Sequence, residues 1–309
     1  MTFKWFYDII NSIRAEGKTI MEKLIQYRTN ASLYDGAFDS VVGWSAAGMG
    51  YVIVSEGGKL IVIDGGFGDD AENILELLRR YGGSEIPRVD LWIITHPHFD
   101  HYGALRELAL NEGLRARLTV DRIIYWFPLE FLGKGGKEQV LKAPSEHLCE
   151  IVSAFSAAVH RPVRDERITV DGIDIDFLYV PDDCSILNTG GGNANLCSLI
   201  FTVKGKHKRV MFTGDAYGRT MQMTVWRYKG SLKCDVLQMP HHGLCDAHNI
   251  DFYHEVNAET LLIPISVAGH RTMHSDLYAD REGRTHNLWA ENNAQRLYNA
   301  FDGTVEIEL

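Results

Sequence analysis

Four apolar runs in this chain each break off into histidine or aspartate. VDLWIIT (89–95) runs into His96, His98, Asp100 and His101. LIVI (60–63) runs into Asp64-Gly65-Gly66, RVMFT (209–213) into Gly214-Asp215, and CDVLQMP (234–240) into His241-His242-Gly243. Short apolar runs of this kind, bounded by turn residues, read as buried strands. Open α/β sheets carry their sites at the carboxyl ends of strands. A fold that suits this chain must therefore bring several strand ends to one edge.

The segments between these runs fit that demand. GMGYVIV, the turn SEGGK and LIVIDGG read as a hairpin of two buried strands. Asp69-Asp70-Ala71-Glu72 reads as a capping box opening a helix with Ile74, Leu77, Leu78 and Tyr81 on one face, ended by Gly82-Gly83. Strands are expected at LTVDRIIYW (118–126), ITVDGIDIDFLYV (168–180), LCSLIFTV, RVMFTGD, CDVLQMP and TLLIPIS (260–266). A last helix is expected over NLWAENNAQRLYNAF, with a closing strand TVEIEL. Residues 127–167 change character: a GKGGK loop without the spacing of a phosphate-binding loop, then a helix with Leu148, Ile151, Val152, Phe155 and Val159 on one face. This stretch reads as a helical insertion able to cap a site. Residues 1–30 read as a helical extension, with Phe6, Ile9, Ile10 and Ile13 forming a stripe suited to docking on the body or on a second copy. The remainder, 31–309, reads as one domain of two similar layers packed face to face.

Composition narrows the classes of function. The net charge of −10 does not attract duplex nucleic acid or an anionic membrane over the whole surface. No run approaches the length of a membrane span. Five cysteines, odd in number and without a C-x-x-C, argue against a disulfide framework or a thiolate zinc site and favour a reducing, cytoplasmic setting.

Imidazole and carboxylate together suit zinc, manganese or iron. His96 and His98 can reach one ion while Asp100 and His101 turn toward another, with Asp215 as the bridge. Two ions held close together can carry a hydroxide and stabilise both oxygens of a hydrolysis.

The H-x-H-x-D-H series at 96–101 resembles the signature of the metallo-β-lactamase superfamily. NLCSLIFTVKGKHKRVMFTGDA followed by CDVLQMPHHG is similar to the N-x-x-S-L, TGD and P-H-H-G series of one branch. That branch includes the hydrolase domain of ComEC-type DNA-uptake channel proteins and soluble relatives. The resemblance covers about residues 41–309 and implies an α/β fold, the four-layer αβ/βα sandwich.

It also implies two divalent ions, zinc first, with manganese or iron as alternatives. His96 and His98 would hold the first, Asp100 and His101 the second, Asp215 would bridge, and His242 would be the ligand of the last motif. Asp64 would brace a ligand histidine, and His241 would orient water or substrate. A third histidine that many members give the first ion is missing from PDDCSILNTGGGNANLCS. Asn195, Asp182, Asp183 or water could take its place, whereas His160 sits too early.

Asp100, His241 and His286 are the candidate catalytic groups, and Arg271 or Arg284 would meet an anionic substrate. The expected reaction is hydrolysis of a phosphodiester or other phosphoester that is small or short-chained. Lactone or carboxylic-ester hydrolysis, or a metal-binding module with weak catalysis, are the alternatives.

Overall fold

The computed structural model describes residues 21–36, 48–127, 139–181, 194–245 and 249–309, apart from the side chains of 139–143. Fifteen strands form two mixed sheets. The first runs β15 (Val305–Glu308), β1 (Lys23–Gln26), β2 (Gly50–Val54), β3 (Leu60–Asp64), β4 (Arg88–Ile93), β6 (Arg122–Ile124) and β7 (Ala158–His160), with β5 (Thr119–Val120) also paired to β4. The second runs β14 (Arg296–Asn299), β13 (Thr260–Ile263), β12 (Val236–Gln238), β11 (Arg209–Phe212), β10 (Ile200–Lys204), β9 (Ile173–Tyr179) and β8 (Arg167–Val170).

The alternation along each strand explains the layering. Ile61, Ile63, Leu91 and Ile93 of the first sheet share a buried cluster with Phe177, Phe201, Phe212, Val236 and Leu262 of the second. The intervening residues Leu60, Val62 and Trp92 point the other way, into a cluster with Ile74, Leu75 and Leu78 of α1 (Ala71–Gly82) and Leu105 and Leu108 of α2 (Phe99–Leu110). Such period-two partition of apolar residues is what a sheet covered on both faces requires. α3 (Glu112–Arg115) and α4 (Gln139–Phe155) follow α2, and α4 packs on α2 through Leu148 and Ile151. On the second sheet, Met211, Leu237 and Leu261 face Met221 and Val225 of α5 (Gly218–Tyr228) and Phe252 and Tyr253 of α6 (Ile250–Val256). α7 (Val267–Met273) and α8 (Glu282–Asn293) complete that layer, so the order is helix, sheet, sheet, helix.

Several local expectations change. Residues 21–29 are not helical: Lys23–Gln26 fills the gap between β2 and β15, because both strands present open ladders that an extended segment satisfies. The stripe Phe6–Ile13 lies outside the described residues, as does the docking proposed for it. The 168–180 run is a hairpin, not one strand, since Asp171-Gly172 adopts two successive positive φ angles (48° and 88°), the geometry of a tight primed turn.

Its Asp171 carboxylate then accepts from Ser55 Oγ (2.5 Å) and Gly57 N (2.7 Å), tying a hairpin of one sheet to a hairpin of the other. The final helix starts at Glu282 and stops at Asn293, and Arg296–Asn299 instead adds a parallel strand to β13. The expected capping box works differently: Asp70 accepts from Phe67 N (3.0 Å) and Asn30 N (2.7 Å), bracing the turn ahead of the helix. Gly83, at φ 60°, ends α1 as expected. Within 127–167, β7 is an edge strand of the first sheet and α4 covers α2, so these parts are built into the sandwich. The GKGGK segment lies outside the described residues.

Phe201 and Phe212, cross-strand neighbours on β10 and β11, stack (centroids 5.4 Å) in the core between the sheets. Phe201→Ala should destabilise the protein by about 3–5 kcal/mol, measured by urea unfolding; a loss under about 1 kcal/mol would show that the core collapses around the gap.

Candidate metal centre

The parallel strands β3, β4, β11 and β12 direct their carboxyl ends to one edge of the sandwich. There the two sheets are joined directly, Leu199 N donating to Thr95 O at 3.0 Å. The polar residues that end each strand therefore meet.

Two groups of donors result. One atom each from Asp100, His101, Asp215 and His242 lie within 4.8 Å of one another, and so do atoms of His96, His98 and Asp215. The expected ligand residues are all in these groups. Asp215 belongs to both, and its two oxygens face different partners. Oδ1 lies 3.3 Å from His101 Nε2 and 3.5 Å from His242 Nε2. Oδ2 lies 3.3 Å from His96 Nε2 and 3.7 Å from His241 Nε2. Asp100 Oδ2 adds a second carboxylate at 3.2 Å from His242 Nε2 and 3.6 Å from His101 Nε2.

Three of the imidazoles are fixed through their other nitrogen. His101 Nδ1 is 2.8 Å from Asp64 Oδ2, His242 Nδ1 is 2.7 Å from Pro264 O, and His96 Nδ1 is 3.2 Å from Thr95 Oγ1. A Nδ1–H held by a carboxylate or carbonyl leaves Nε2 as a lone pair aimed at the cluster, the arrangement that second-shell partners give metal-bound histidines. Asp64 itself has a left-handed backbone (φ 56°) and accepts from Thr95 N and Oγ1, both at 2.8 Å.

The electrostatics match. Burial, with His101 adding to it, pushes His96 down to about 3, and burial lowers His98 too, so both are neutral donors at neutral pH. Burial would raise Asp100 and Asp215, but the surrounding imidazoles outweigh it and hold both carboxyls below the usual range. Burial pushes the Asp64 carboxyl up and would push His101 down. Asp215, Asp64 and Asp100 around His101 outweigh burial and hold its imidazole well above its ordinary value. An ion bound here would displace the proton that these carboxylates favour on His101 Nε2, while Asp64 keeps the one on Nδ1.

His96 Nε2, His101 Nε2, His242 Nε2 and Asp215 Oδ1 are buried without a hydrogen-bond partner. Leaving such atoms unsatisfied costs on the order of 1–3 kcal/mol each. Convergent imidazole and carboxylate donors of this kind fit divalent cations.

The turn after β12 supplies two of the imidazoles. Pro240 opens it, and His241 (φ 45°) and His242 (φ 57°) are consecutive left-handed residues. Their backbone is pinned by His241 N donating to Gly214 O (3.1 Å) and Leu244 N to His241 O (2.8 Å). Gly214 is also left-handed, and a Cβ there would meet Thr95 Oγ1 at 2.8 Å.

Some positioning residues had no role assigned from sequence: Ser198 had only its place in the N-x-x-S-L series and Gln238 none. Ser198 Oγ accepts from Asp215 N at 3.0 Å. Gln238, buried in β12, accepts from Thr213 N (2.8 Å) and donates to Gly214 O (3.0 Å). A glutamine inside an apolar strand was the one available hint. Asn195 Nδ2 lies 3.3 Å from His241 Nε2.

Other expected residues stand elsewhere. His286 belongs to α8, with Nε2 3.7 Å from Glu282 Oε1, and is in neither donor group. Its neighbour Asn287 is the one that reaches the turn, donating to Gly243 O and Leu244 O. Arg271 pairs with Asp35, and Arg284 donates to His274 O at 3.2 Å, so both arginines are engaged by other groups of the chain. Tertiary pairing took charges that a sequence presents as available. His160 pairs with Glu166 at 2.8 Å. Asp182 and Asp183 lie outside the described residues.

Asp64→Asn keeps the shape and the tolerance for a left-handed backbone but removes the charge that orients His101. It should weaken zinc binding about 10–100-fold in a chelator competition; unchanged affinity would remove Asp64 from this role.

The chain is similar in fold to several solved structures. One is the metallo-beta-lactamase fold protein YhfI from Bacillus subtilis, with TM-score 0.51, 14% identity, 93% of this chain and 100% of that one covered. Zn(2+)-bound PqqB from Methylobacterium extorquens gives TM-score 0.54 at 12% identity, covering 94% and 100%. CmlA, a diiron beta-hydroxylase from Streptomyces venezuelae, gives 0.51 at 11%, covering 94% of this chain and 55% of that one. Comparison with curated proteins finds no match. The model of the metallo-beta-lactamase superfamily matches residues 47–251, a span that contains every residue of both donor groups. The chain belongs to the metallo-beta-lactamase superfamily of metal-dependent hydrolases.

Proposed function

We propose that the protein is a dinuclear metallohydrolase that cleaves phosphoesters, phosphodiesters first. The observation that carries the reading is the Asp215 carboxylate, whose two oxygens face two separate groups of imidazoles. Zinc fits this nitrogen and oxygen donor set, and manganese or iron fit it too. Ions held by His96, His98, Asp100, His101, Asp215 and His242 would supply a hydroxide at neutral pH and neutralise charge on the oxygens of the reacting ester.

The residues of the chain do the rest. Asp64, Thr95 and the Pro264 carbonyl hold His101, His96 and His242 in one tautomer each, so no reorientation is needed at the moment of reaction. Asp100 stays ionised beside His101 and His242. His96, His101, His242 and Asp215 are sealed from solvent, while Asp100 and His241 keep 15% and 14% of their side chains exposed. Substrate therefore approaches over Asp100 and His241.

The phosphoester preference rests on the N-x-x-S-L, TGD and P-H-H-G series, whose Asn195, Ser198, Asp215 and His242 all take part in the site. The −10 charge disfavours a duplex, so a small phosphodiester, a nucleotide or a short single strand is the substrate class. Among the described residues, no helix is long and apolar enough to cross a membrane.

Purified protein should hydrolyse bis(p-nitrophenyl) phosphate with added zinc or manganese and not in a chelated control. Asp215→Ala and His98→Ala should each abolish that turnover while leaving the circular dichroism of the fold in place. Full activity in either variant would remove the two-metal mechanism. Turnover of lactones with none on the phosphodiester would move the substrate class to carboxylic esters.

A further inference from the structure

We infer that His241 is a metal ligand, replacing the histidine that the chain lacks at the first metal position. The inference rests on the two-metal reading above. It changes the role of His241 from a group that orients water or substrate to one that completes a coordination shell.

The argument starts from the symmetry of Asp215. Each of its oxygens faces a pair of Nε2 atoms: Oδ1 has His101 and His242 at 3.3 and 3.5 Å, and Oδ2 has His96 and His241 at 3.3 and 3.7 Å. On the Oδ1 side, Asp100, His101, Asp215 and His242 bring four donors together, the number a structural zinc site uses. On the Oδ2 side the tightest circle holds His96, His98 and Asp215, one donor short, and His241 is the imidazole standing next to it.

The backbone supports the same conclusion. Adjacent residues on a strand point to opposite faces, so a strand could not send both His241 and His242 to one carboxylate. Two consecutive left-handed residues, a conformation that L side chains resist, do so. Strain held in place by surrounding hydrogen bonds is characteristic of functional positions.

The neighbouring amide fits as well. Asn195 Nδ2 is 3.3 Å from His241 Nε2, so with the amide donating, Nε2 carries the lone pair and Nδ1 the proton. That lone pair is the one an ion would take. Tyr217 lies beside the ring, at 5.5 Å between centroids, and limits its swing.

The test is metal stoichiometry with zinc alone as the probe. After loading and exhaustive dialysis, the unaltered chain should retain two ions, and His241→Ala and His241→Asn about one ion fewer. His160→Ala, outside both donor groups, should retain both. Asn tolerates the left-handed backbone, so it separates ligand loss from a broken turn. Long-range proton–nitrogen spectra of the zinc-loaded unaltered chain give a second readout that needs no variant. His241 Nε2 should shift with those of His96, His98, His101 and His242. Two ions retained in both variants with unchanged affinity, or a His241 Nε2 that does not shift, would overturn the inference. An unaltered chain that fails to hold two ions would instead overturn the two-metal reading beneath it.

Discussion

A buried carboxylate without enough hydrogen bonds is the constraint around which this molecule is arranged. Asp215 is 1% exposed, its backbone N–H is engaged by Ser198, and its oxygens face imidazole nitrogens on both sides. Taking a carboxylate out of water costs several kcal/mol even after relaxation, and only well-placed opposite charge recovers it. Asp64 and Asp100 repeat the problem close by. The histidines around them therefore have to be held with little freedom, and that requirement reaches into the backbone. Left-handed residues at Asp64, Gly214, His241 and His242 all lie at the strand ends where the donors gather.

The two sheets meet this requirement together. Neither supplies a complete site: the first gives Asp64, His96, His98, Asp100 and His101, and the second gives Asp215, His241 and His242. Their relative position is fixed by the apolar layer of Phe177, Phe201 and Phe212 against Ile61, Ile63, Leu91 and Ile93, and by polar ties such as Leu199 N to Thr95 O. Packing of this density transmits small displacements, so the geometry of the donors depends on a core that never touches them. The same architecture is found in a zinc-bound protein and in a diiron hydroxylase. The fold thus provides a place for metal chemistry, and the identity of the reaction lies in the donors and the loops around them.

Charge elsewhere illustrates how a fold reassigns what a sequence offers. The basic cluster near the end of the chain looks suited to an anion, yet Arg271 meets Asp35 and Arg284 meets the His274 carbonyl. Surface and loop ion pairs of this kind add little stability, but they remove the groups from the pool that could greet a substrate. His286 is a similar case, since its helix approaches the site through Asn287 instead.

The sequence by itself determined the elements and the chemistry that are local. Apolar runs ended by His and Asp named the strands, the edge at which they terminate, and the H-x-H-x-D-H donors, because strand periodicity and turn residues act over a few positions. It misread segments whose state depends on distant partners. Lys23–Gln26 and Arg296–Asn299 are strands only because open sheet ladders are waiting for them. The tertiary structure alone decided that the two oxygens of Asp215 divide four imidazoles, that Ser198 and Gln238 hold the turn beneath it, and that His241 stands beside an incomplete donor set. These are contacts between residues far apart in the chain. Only the packing of one sheet on the other sets their distances.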